Sequence, residues 1–167
     1  RHAELQCLLA LISGTLDKIS LEFRNLQRTE IAEISEQIRS PSSTMPQKLN
    51  PSNTERICGL AKIIRGSVNA SLDTIALEHE RDISNSSMER INIPEGFILT
   101  DYILKQLTKI SQGLTFDLDN IEKNLQMTFG LILTERIMME LTNKGIGRQK
   151  AHELMRRLAL KSWNEKR

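Results

Sequence analysis

The chain has 167 residues, 39% apolar and 26% charged, with a formal net charge of +2 and four prolines. That length suffices for one compact domain with its own core, and the composition excludes the disordered, collagen-like and disulfide-scaffold classes. No apolar run reaches the roughly 18 residues needed to cross a bilayer and the start carries no secretory pattern, so a cytoplasmic chain is expected; opening on Arg1, it reads as a piece of a longer polypeptide.

From Leu5, apolar residues recur at Leu8, Ile12, Leu16, Ile19, Phe23 and Leu26. Steps of three and four mark one stripe of a helix, expected to continue to about Arg39. The polar stretch 40–51 holds Pro41, Pro46 and Pro51 and must be a loop. Ser52 three before Glu55 reads as a capping box, and Ile57, Leu60, Ile64, Val68, Leu72 and Ile75 extend a second stripe for about six turns. Residues 78–90 mix charge with side chains that bond their own backbone, predicting a loop and a short turn. Pro94 suits a first helical turn, followed by Leu99, Ile103, Leu107, Ile110 and Leu114.

After Gly113 the segments shorten. Asp117 and Asp119 open one helix, a second lies near 131–141, Gly145-Ile146-Gly147 breaks the chain, and a last helix runs to about Trp163. Residues 144–167 carry eight Lys/Arg against two acids, read as a solvated helix face rather than a nucleic-acid surface. Cys7 and Cys58 fall in helical apolar patterns, where a thiol is a small core residue, and no metal-ligand spacing is present. With no strand signal the class is all-α: a long-helix bundle over 1–112 and a smaller C-terminal helical domain over 113–167. A helix of some 35 residues is about 50 Å long and needs partners along its whole stripe, which predicts an oligomeric bundle. A structural coiled coil without chemistry fits that periodicity equally, so the loops must decide.

Ser42, Ser43, Lys48 and Asn50 lie within nine residues and lead into a helix start. The partial positive charge of that start, with Lys48, makes a place for a carboxylate or phosphate. The spacing from Ser42 or Ser43 to Lys48 is not that of a Ser-x-x-Lys nucleophile, so proton chemistry beside an anion fits better than acyl transfer.

The run Ser42-Ser43-Thr44-Met45-Pro46-Gln47-Lys48-Leu49-Asn50-Pro51, followed by Glu55, resembles the signature loop (40–53) of the fumarase/aspartase superfamily. The flanks 19–30 and 78–90, with the approach Arg1-His2-Ala3-Glu4, resemble the adenylosuccinate lyase family within it. The resemblance covers nearly the whole chain. Departures are Pro41 where Gly is usual, Gln47 and Leu49 where His and Arg often stand, and Glu78 where Trp is common.

The resemblance implies β-elimination of fumarate from adenylosuccinate, giving AMP, and from the succinyl-carboxamide ribotide of purine biosynthesis. It implies an all-α bundle, a homotetramer with sites shared between subunits, no cofactor, and no nucleic-acid or membrane partner. It further implies Ser42 as the base, Lys48 as the stabiliser of the doubly charged carboxylate, and Glu55 as the partner of a catalytic His upstream of this chain. Ser43, Met45 and Asn50 would bind the succinyl group, and Arg81, Ser86 and Arg90 would clamp the phosphate, as two guanidiniums and a hydroxyl can.

Each residue has a plainer reading. Ser42 could only turn the loop, Lys48 be an exposed lysine, Asn50 set a turn before Pro51, Glu55 complete a capping box, and 81–90 be a solvated loop. His2, His79 and His152 are not expected to be catalytic, and Arg24, Gln27 and Arg28 could face substrate or a neighbouring subunit. The isolated chain is expected to be inactive. Another fumarate-forming lyase, such as one acting on argininosuccinate, or a non-catalytic helical scaffold are the alternatives.

Overall fold

Gln27 stops the first helix. Its backbone N–H and its side-chain Nε2 both donate to the Phe23 carbonyl, at 3.2 and 3.1 Å, satisfying an orphan acceptor of the last turn. The chain then reverses: the Arg28 carbonyl accepts from the amides of Ile31 and Ala32, and Ala32 takes a left-handed φ of 50°. In the computed structural model, which describes residues 1–37, 39–79 and 82–165, α1 therefore spans His2–Leu26 rather than continuing to Arg39. The apolar stripe itself stops at Leu26, but neither Pro nor Gly marks this end, which is why the expected helix overran it.

Two short antiparallel ladders follow, where no strand was expected. β1 (Ile34–Ser35) pairs with β4 (Thr115–Phe116), and β2 (Ser40–Pro41) with β3 (Leu49–Asn50). Two residues are too few for an alternating pattern to register in sequence, and the chain remains all-α.

α2 (Ser52–Gly66) breaks at Ser67 before the short α3 (Val68–Leu72), so the second stripe is not one continuous helix. The Ser67 hydroxyl donates to the Ile64 carbonyl at 2.8 Å, one of the local side-chain bonds that compete with helix continuation. The capping box is not formed either. Pro51 holds the cap position, its carbonyl accepting from the Glu55 amide at 3.0 Å, while the Ser52 hydroxyl is engaged with Ser40 at 2.7 Å. Glu55 is thereby released from capping.

α4 (Ser84–Gln112) starts well before Pro94, which lies inside it. The carboxylate of Asp82 accepts from the amide and hydroxyl of Ser84, a local turn just ahead of the helix, whose cap residue is Ile83; Ser84 to Arg90 are helical and not loop. Pro94 removes only the donor that would have met the Arg90 carbonyl.

The core joins Leu9 and Leu16 of α1, Ile57, Ala61 and Ile64 of α2, and Ile103, Leu107 and Ile110 of α4. Leu99 and Leu114 pack against it, as the third stripe predicted. The first stripe holds in part: Leu16 is buried and Ile12 and Phe23 pack against the core, but Leu8 and Ile19 are exposed, and the fully buried line runs through Ala3, Gln6, Leu9, Ser13, Leu16 and Ser20. Small and polar side chains let helices approach closely, and counting apolar residues does not find them. Leu72 and Ile75 are likewise exposed. Ile103 is 0% exposed. Ile103→Ala in the full-length protein is expected to cost about 2–5 kcal/mol, read as a lowered midpoint in denaturant titration.

Cys7 and Cys58 are free thiols, and burial first of all pushes the Cys58 thiol up. Residues Arg1–Phe116 form one compact unit and Asp117–Arg167 a second. In the second, the Asp117 carboxylate caps α5 (Leu118–Gln126) by accepting from the Asn120 amide at 3.0 Å. A short turn of 3-10 helix, Leu131–Leu133, leads into α6 (Thr134–Asn143). Gly145, at φ 92°, reverses the chain into α7 (Arg148–Glu165). Among the described residues no helix is long and apolar enough to cross a membrane.

Candidate active site

The β2–β3 ladder folds the segment between its strands into a hairpin loop. The Ser42 amide donates to the Lys48 carbonyl and the Lys48 amide to the Met45 carbonyl, both at 3.0 Å. At the tip the Ser42 Oγ accepts from two backbone amides, Thr44 at 3.2 Å and Met45 at 3.1 Å. This is a serine turn, as the plainer reading had it, but two N–H donors on one oxygen also favour its negatively charged form. The turn and the chemistry are compatible.

Below the hairpin lies a cleft of about 460 Å³, within the range of small-molecule sites. The end of α1 lines it with Arg24, Gln27 and Arg28; the hairpin and the start of α2 line it with Lys48, Asn50 and Glu55, and Arg39 completes the cationic set. Arg24 Nη2 is 3.9 Å from Glu55 Oε1, a loose pair at a half-exposed site. Four cationic side chains and one carboxylate among the lining residues leave a surplus of positive charge suited to an anion.

Of the residues singled out from sequence, Lys48, Asn50 and Glu55 meet in this cleft. Ser43 and Met45 are exposed on the hairpin and are not among its lining residues. Ser42 is tied to Lys48 through the backbone but is not itself in the lining. Ser86 and Arg90 stand one turn apart on α4, hence on one face of it, outside the cleft lining. Arg81 lies outside the described residues. Hydrogen bonds from the Ser84 hydroxyl and amide hold the Asp82 carboxyl below the usual carboxylate range. Arg24, Gln27 and Arg28, left open between substrate and subunit contact, are cleft residues, and Arg39, read from sequence as a helix end, is another. No local signal marked Arg39, because its role depends on α1 having ended earlier.

The family described as "Adenylosuccinate lyase C-terminus" matches residues 130–167. An adenylosuccinate lyase of Pyrococcus abyssi is 50% identical over 99% of this chain, which spans 38% of that relative's length. Among solved structures, a fumarate lyase from Mesorhizobium sp. BNC1 matches at TM-score 0.81 and 30% identity over 98% of this chain and 36% of its own. A 3-carboxy-cis,cis-muconate lactonizing enzyme from Pseudomonas putida matches at TM-score 0.80 and 29% identity over 100% of this chain and 37% of its own. The scaffold is thus shared by enzymes of different reactions, whereas the sequence sides with one of them. The signature hairpin is placed over a cationic cleft, and over nearly its whole length the chain is similar to adenylosuccinate lyases, half of its residues being identical to those of the Pyrococcus abyssi protein.

Proposed function

We propose that the protein to which this chain belongs is a C–N lyase that releases fumarate from adenylosuccinate, leaving AMP, and performs the same cleavage on the succinyl-carboxamide ribotide of purine biosynthesis. The observation that carries this reading is the hairpin that joins Ser42, with two amides on its Oγ, to a cleft holding Lys48, Asn50 and Glu55.

Ser42 takes the proton from Cβ of the succinyl group. The electron pair left behind is held in the adjoining carboxylate, whose extra charge Lys48 offsets. The pair then forms the Cα–Cβ double bond as the C–N bond breaks, and the departing nitrogen receives a proton from a His supplied by another part of the protein, oriented by Glu55. Asn50, Ser43 and Met45 hold the succinyl carboxylates, and Arg81, Ser86 and Arg90 the phosphate. In a cytoplasmic homotetramer the exposed apolar side chains Leu8, Leu11, Ile19, Ile91, Phe97 and Ile98 would be covered by neighbouring subunits, and the site completed by them. The first unit is then part of the central bundle domain and the second part of the C-terminal helical domain.

The test is fumarate release from adenylosuccinate by the full-length protein; none from an assembled tetramer would transfer the reading to another fumarate-forming lyase, such as one for argininosuccinate, or to a scaffold. Arg81→Ala combined with Arg90→Ala discriminates further. Loss of charge-assisted bonds to a phosphate is expected to raise KM at least about tenfold, and an unchanged KM would argue for a substrate without one.

A further inference from the structure

Glu36 is 4% exposed, and none of the roles above uses its carboxylate. Strand alternation explains its burial. β1 is held by β4 and by the Ser35 and Thr115 hydroxyls 2.6 Å apart, and residues two apart face the same side, so Ile34 and Glu36 both turn inward.

There Glu36 gathers three neutral donors. The Thr54 hydroxyl reaches Oε1 at 2.6 Å, Gln27 Nε2 reaches the same oxygen at 3.3 Å, and Asn53 Nδ2 reaches Oε2 at 3.3 Å. Its own amide donates to Gln27 Oε1 at 3.0 Å. Of these partners only Gln27 lines the cleft; Asn53 and Thr54 belong to the first turn of α2, which carries the lining residue Glu55, and Asn53 and Glu36 themselves face a separate hollow beside Lys109 and Gly113. Gln27 ends α1 and stands beside Arg24 and Arg28, while Asn53 and Thr54 sit between Asn50 and Glu55. A carboxylate accepts at both oxygens and donates at neither, so it can hold donors from the end of α1 and the start of α2 at once. A glutamine in its place would set an NH₂ group against one of those donors.

We infer that Glu36 is a positioning residue for the elimination, clamping the end of α1 to the start of α2 and so setting where Arg24 and Gln27 stand relative to Asn50 and Glu55. The inference rests on the proposed reading of the cleft as the reaction site. Misplacement of reacting groups by about 1 Å can lower a rate by about 100-fold without loss of the fold.

The test uses Glu36→Gln and Thr54→Val in the full-length protein, with rates expressed per assembled tetramer as measured by light scattering. Glu36→Gln is expected to lower kcat by about 10- to 100-fold and to move KM by less than about threefold, because substrate anchored elsewhere still binds. Thr54→Val, which removes one donor and keeps the side-chain shape, should lower kcat in the same direction by about five- to tenfold. It carries the test should Glu36→Gln not assemble. An unchanged kcat per tetramer, or a rise in KM alone, overturns the inference. Should the wild-type protein cleave a different fumarate-forming substrate, the same ratios are read on that substrate. An inactive wild type overturns both the reading and the inference, whereas an active wild type with undiminished variants overturns the inference alone.

Discussion

Ser42→Ala in the full-length protein is expected to lower kcat for fumarate release by about 10²- to 10⁴-fold, the usual range for loss of a positioned base. A free hydroxyl is far too weak an acid to ionise near neutral pH, so the hairpin must supply what stabilises the alkoxide. Two amides already do part of this, from Thr44 and Met45. Alanine keeps the hairpin's backbone bonds, including the one from residue 42 to the Lys48 carbonyl, and removes only the oxygen those amides meet. KM should therefore move little while kcat collapses, as for a group needed only on the way to the transition state. Steady-state kinetics with circular dichroism as a folding control check this. Retained turnover would reassign the base and leave Ser42 as a turn residue alone.

Lys48→Met should lower kcat by about 10²- to 10³-fold, comparable to removing a preorganised donor from a developing negative charge. Methionine keeps most of the stem and discards the ammonium. Lys48 shares its cleft with Arg24, Arg28 and Arg39, so some field remains and the loss should fall short of complete. The remaining cations should also keep KM closer to wild type than kcat. If Lys48→Met instead raises KM and spares kcat, Lys48 only attracts the anion. If it changes neither, Lys48 is the ordinary exposed lysine of the plainer reading.

The family resemblance was legible because its signature is contiguous: Ser42 to Pro51 with Glu55 can be read without knowing any contact. The all-α class and the third stripe were legible because Ile103, Leu107 and Ile110 repeat at helical spacing and do pack inward. The capping box failed for an instructive reason. Ser52 and Glu55 have the right spacing, but Ser40, twelve residues earlier, engages the Ser52 hydroxyl, and Arg24 of α1 stands near Glu55. Local chemistry was outcompeted by partners that only folding supplies. The helix starting at Ser84 was missed because Pro94 looked like a beginning, although a helix tolerates losing one donor when its neighbours hold it.

The sequence alone determined the helical class, the signature hairpin's residues and the family they resemble, because these depend on side-chain identity and short spacing. The tertiary structure alone decided which cations line the cleft and that Glu36 is buried between the end of α1 and the start of α2. Each of these rests on a contact between residues distant along the chain: Gln27 with Glu36, Ser35 with Thr115, Arg24 with Glu55. A hydrogen bond or ion pair of that kind leaves no periodicity behind it, so it becomes visible only when the chain brings its partners together.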